Sequence, residues 1–95
     1  MREDFFIESM ANDASITSKD KAVASRLAKA RKVESFVGVS FDTITGDDEL
    51  MYKTLIKIRD EMGDSHGNLA NSLRKYFYYV KGTDFPSMRN VDTIK

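Results

Sequence analysis

Between Asn68 and Lys81 the chain reads NLANSLRKYFYYVK, in which Leu69, Leu73, Tyr76, Phe77 and Val80 recur at the three- and four-residue spacing of one helical face. Gly67 before this stretch and Gly82 after it are residues that bound helices. A helix so apolar on one side is unstable alone in water and has to be covered by other elements. The rest of the sequence therefore has to supply helices able to pack on that face.

Three further helices are predicted. The first runs from about Glu3 to Met10 and offers Phe5, Phe6 and Met10 for burial, as a lid, before Asn12 and Asp13 break it. The second opens after Thr17 or Ser18, either of which suits an N-cap, and closes at Gly38. Its Val23, Leu27, Ala30 and Val37 share a side that Val33 and Phe36 widen, while Glu34 falls awkwardly beside this stripe. Asp47, Asp48 and Glu49 place negative charge where a helix start is partially positive, so the third begins near Thr45 to Asp47 and ends by Gly63. Its stripe is Met51, Leu55, Ile58 and Met62, with Tyr52 and Ile56 as a second apolar strip.

In the connection from Val39 to Gly46, Phe41 and Ile44 can anchor a turn or a single helical turn on the core. Residues 63–67 read as a turn, and Phe85-Pro86 as an anchor that ends helical structure. No alternation of apolar and polar residues suggests strands. The expected fold is all-α, an irregular four-helix bundle. One domain fits the 95 residues, ordered over about 3–88 and frayed over 89–95.

The chain has no Cys, which excludes disulfides, thiolate metal sites and a Cys nucleophile, and agrees with a cytoplasmic setting. Its apolar runs are far shorter than the roughly 20 residues that span a bilayer, and Met1-Arg2-Glu3-Asp4 is not the basic start of a signal peptide. No membrane role is expected.

The formal net charge is zero, but it is segregated. Lys19 to Val37 holds six cations (Lys19, Lys21, Arg26, Lys29, Arg31, Lys32) against Asp20 and Glu34, and Asn68 to Gly82 holds Arg74, Lys75 and Lys81 with no anion. The surplus of acid lies in residues 1–14 and 41–66. On a helical wheel Asn71, Arg74, Lys75, Tyr78 and Lys81 gather opposite the apolar face of the last helix. Lys21, Ala28, Arg31, Lys32 and Ser35 turn outward on the second helix, with Ser25 and Lys29 on one flank.

Duplex DNA suits such surfaces, because each cation that neutralises a phosphate releases a counterion, and Asn and Arg are residue types that read adenine and guanine edges. The amides at Gly67 and Asn68 are further candidates for a phosphate contact. Cations on a solvated helix face are also commonplace, and Lys near a helix C-terminus suits the dipole. A different reading is a protein-interaction domain that uses Tyr52, Ile56 and Phe85 as an exposed apolar patch.

The order of helices, the Thr17-Ser18 start of a basic second helix, and above all NLANSLRKYFYYVKG resemble the N-terminal core-binding (SAM-like) domain of tyrosine recombinases and phage integrases. The resemblance covers about Ile16 to Gly82. It implies DNA contact by Lys21, Lys29, Arg31 and Lys32 on one helix and by Asn71, Arg74, Lys75 and Tyr78 on another. The chain departs from the family in lacking the catalytic domain that follows, and no strand-transfer Tyr is assignable. The resemblance thus implies a stand-alone or detached DNA-binding module, of the kind found in a mobile element.

No enzyme is expected. His66 is the sole His, so no His pair for a metal site can be built, and Asp64, Ser65 and His66 suit a turn rather than a Ser-His-Asp arrangement. Asp47 to Glu49 lacks the alternating ligands and distal Glu of a calcium loop, and the five Gly have no Lys-Ser or Lys-Thr partner for a phosphate loop. Met51 and Met62 lie on an apolar stripe and read as core. No cofactor is implied.

Overall fold

Five helices and no strand make up the described part of the chain, residues 1–17 and 19–86 of a computed structural model. They are α1 (Glu3–Ala11), α2 (Lys19–Val37), α3 (Phe41–Thr45), α4 (Asp48–Glu61) and α5 (Asn68–Lys81). The all-α expectation is met, with one helix more than the four expected: the single turn foreseen at Phe41 and Ile44 is α3. Ser18, a candidate cap, and the fraying expected beyond Met88 lie outside the described residues.

Local chemistry sets the ends. Gly38 and Gly82 take φ of +71° and +76°, and their amides donate back to the carbonyls of Glu34 and Tyr78, each at 2.8 Å. This left-handed backbone closes a helix at little cost only with Gly. The Asp47 side chain caps α4 by accepting from the amides of Glu49 and Leu50 at 2.9 and 3.3 Å. Ser40 likewise accepts from Thr43 N–H at the start of α3.

Glu34, the misfit on the apolar stripe of α2, also serves that start. Its carboxylate accepts from Phe41 N–H at 2.6 Å and lies 2.9 Å from the Met1 amino group. A charge near the core is tolerated here because it satisfies donors that would otherwise be stranded.

Helix α5 packs against each of the other four. Tyr76 is fully buried at its centre, with the rings of Phe5 and Phe6 from α1 and Phe41 from α3 edge-on at 5.9, 5.2 and 5.5 Å. Such edge-to-face contacts are the favoured arrangement of aromatic rings. The buried hydroxyl donates to Asp42 Oδ1 at 2.5 Å and accepts from Arg2 N–H at 3.1 Å. Phe6 and Met10 are completely buried, so α1 is the expected lid.

Two apolar expectations are corrected. Phe36 is 46% exposed, with the Lys57 ammonium 5.7 Å from its ring centre, because α2 turns that edge of its stripe to solvent. Phe85 is buried against Phe77, ring centres 5.3 Å apart, so the patch proposed with Tyr52 and Ile56 cannot include it. Tyr52 and Ile56 are themselves half-buried. Among the described residues no helix is long and apolar enough to cross a membrane.

Candidate nucleic-acid interface

Helices α2 and α5 pack against one another, and side chains of both border one seam. Three depressions lie along it. The first, about 440 Å³, is bordered by Ser25, Ala28, Lys29 and Lys32 of α2, by Ser65 and His66 of the turn, and by Asn68. A second, about 230 Å³, shares Ser25, Lys29 and Asn68 with the first and adds Arg26 and Asn71. Asn71 also borders the third, about 270 Å³, with Arg74, Lys75, Tyr78, Asp84 and Phe85. The shared residues make these one broken groove along both helices.

Of the residues expected to meet DNA, Lys29, Lys32, Asn71, Arg74, Lys75 and Tyr78 border this groove. Lys21 stands about three turns before Lys32 on the same exposed stripe of α2, and Lys81 is exposed at the end of α5. Arg31 is apart from the rest. Its guanidinium engages the Glu3 carboxylate of α1 at 2.9 and 2.5 Å, on the other side of α2 from Lys29. The acidic first helix therefore neutralises one of the predicted cations.

Two others are bound rather than free. Lys75 Nζ lies 2.9 Å from Asp13 Oδ2 and 3.2 Å from Ser15 Oγ, with only 21% of its side chain exposed. Arg74 donates to the carbonyls of Phe85 and Pro86 at 3.1 and 3.3 Å, and burial pushes its pKa down from the ordinary value. Both lie opposite the apolar face of α5 as expected from the wheel, yet each fastens a neighbouring segment to α5.

The turn before α5 is also occupied. Asp64 Oδ1 and Oδ2 accept from the amides of Leu69 and Ala70, both at 2.9 Å, and the Gly67 amide, one of the two foreseen for a phosphate, donates to the Asp64 carbonyl at 3.1 Å. By contrast Lys21, Lys29 and Lys32 pair with no carboxylate among the described residues, and Lys29 donates only to Ser25 Oγ at 2.6 Å. Tyr78 is 41% exposed beside the third depression, its ring 5.8 Å from Lys75 Nζ.

Sequence reasoning missed Arg26 and His66 as groove residues. Arg26 lies three before Lys29, a spacing that predicts adjacency on a helix, but which flank of α2 meets α5 is not written in either helix alone. Its Nε is buried with no hydrogen-bond partner among the described residues.

No family model, curated protein or solved structure matches the chain.

Proposed function

We propose that this chain is a non-catalytic, helical DNA-binding module that holds duplex DNA along the α2–α5 groove. The observation that carries the reading is Lys29 and Lys32, with Arg26 beside them, left without carboxylate partners among the described residues on the flank where α2 and α5 meet, and Lys21, exposed and likewise unpaired, earlier on the same helix. Unpaired ammonium groups side by side on a folded surface gain from a polyanion by releasing its condensed counterions. Asn71 and Tyr78, exposed along the same groove, add groups able to hydrogen-bond or stack on bases.

We read the architecture as SAM-like, four principal helices with α3 as the turn between the second and third, akin to integrase core-binding domains and acting in the cytoplasm within a mobile element. Binding rather than turnover is the proposed activity. Helices of 19 and 14 residues are about 28 and 21 Å long, less than one turn of duplex, so roughly four phosphates are within reach. Fluorescence anisotropy with a duplex of about 20 base pairs tests this. Log affinity is expected to fall against log salt with a slope of about −3 to −5. A flat salt response, or no binding at low salt, refutes the reading.

A further inference from the structure

We infer that the 440 Å³ depression between α2 and the α4–α5 turn is a phosphate-anchoring subsite, with Lys29 and Lys32 supplying charge and Ser25, Ser65, His66 and Asn68 the surrounding polar groups. The inference rests on the DNA reading for the source of its phosphate, the duplex backbone.

Lys29 and Lys32 stand three residues apart on one helix, where side chains are neighbours and like charges repel. Elsewhere the fold resolves such repulsion with acids: Arg31 has Glu3, Lys75 has Asp13 and Lys53 has Glu49. Here it does not. The acid that does border the depression, Asp64, has both oxygens engaged by the Leu69 and Ala70 amides, and no ion pair joins it to either Lys. The partial positive charge at the start of α5 offsets part of its charge, and the two ammonium groups have no ion-pair partner of their own among the described residues.

The remaining walls suit a phosphate with its sugar. Ala28, next to Lys29 and one turn before Lys32, carries no side chain long enough to keep a phosphate from the helix surface, and Met62 and Leu69 provide an apolar patch for a deoxyribose. The Lys29 ammonium already donates to Ser25 Oγ, which holds its charge over the depression. The space exceeds a lone phosphate and lies within the usual range of ligand pockets.

Two double variants test the subsite in the whole chain. Lys29→Gln with Lys32→Gln is expected to weaken duplex binding about tenfold or more at moderate salt, whereas Lys53→Gln with Lys57→Gln, which removes the same charge from α4, changes it less than about twofold. Equal losses overturn the subsite and leave the DNA reading standing. If the unaltered protein binds no duplex, the DNA reading fails and a second measurement decides the subsite. Titration with inorganic phosphate, followed by amide NMR, then supports it when shifts concentrate at residues 25, 29, 32, 65, 66 and 68. Shifts spread over every Lys-bearing helix, or none, overturn it.

Discussion

The hydroxyl of Tyr79, on α5, donates to the carboxylate of Asp13, in the connection between α1 and α2, across 2.6 Å. Ser15, through its amide and hydroxyl, and Lys75 complete the shell around that carboxylate. The Tyr79 bond, with Ser15 and Lys75 after it, holds the Asp13 carboxyl well below the usual carboxylate range, while burial and the nearby charge push the Tyr79 hydroxyl up. In an unfolded chain the same carboxyl takes a proton near pH 3.9. Below that point the unfolded state binds a proton that the folded state refuses, so the stability contributed by Asp13 is complete above about pH 5 and drains as the pH falls. We expect Asp13→Asn to cost about 2 kcal/mol at pH 7 and to flatten the loss of stability between about pH 5 and 3, measured by urea unfolding at several pH values. An unchanged pH profile in the variant contradicts this.

Tyr76 separates ring packing from hydrogen bonding. Tyr76→Phe keeps the three edge-on ring contacts and removes the bonds to Asp42 and Arg2, for an expected cost of about 1–2 kcal/mol with helix content retained. Tyr76→Ala removes both and is expected to cost about 3–5 kcal/mol. Denaturation followed by circular dichroism measures the two, and equal losses would mean that the hydroxyl, not the ring, holds α1 and α3 to α5.

Arg31 and Lys32 are adjacent in sequence and opposite in role. Arg31→Ala breaks the ion pair with Glu3 and is expected to lower the melting temperature slightly while leaving DNA affinity within about twofold. Lys32→Ala relieves repulsion with Lys29 and is expected to leave the melting temperature equal or a little higher while weakening DNA binding severalfold. A thermal melt and an anisotropy titration of each variant read both effects. The reverse pattern would place the binding surface on the α1 side of α2.

Phe85 and Arg74 hold the segment after α5. Phe85→Ala is expected to cost about 3 kcal/mol, because a ring packed on Phe77 is replaced by a cavity. Arg74→Ala is expected to cost less and to raise amide exchange at residues 83–85, because both carbonyl contacts are lost. Exchange unchanged in that segment argues that Phe85 alone secures it.

The fold was legible where a single helix carries its own signal. The apolar face of α5, the Gly stops at 38 and 82 and the acidic start of α4 are all local patterns, and the helices stand where those patterns put them. The groove was legible only in part. A wheel tells which side chains turn outward, but not whether a carboxylate from a distant segment meets them. Asp13 is 62 residues from Lys75 and Glu3 is 28 from Arg31, so those pairings exist only after the helices dock. The same limit hid the purpose of Glu34, whose partner Phe41 N–H belongs to the next helix, and the use of Arg74 as a fastening for Phe85 and Pro86.

Because α5, which follows the other four helices, is the one on which α1, α2, α3 and α4 all rest, the order of synthesis runs against the order of packing. While the ribosome is making the first 67 residues, Phe6, Met10, Phe41 and Met51 have no finished surface to rest on. Until α5 emerges, those apolar side chains stay open to chaperones and proteases.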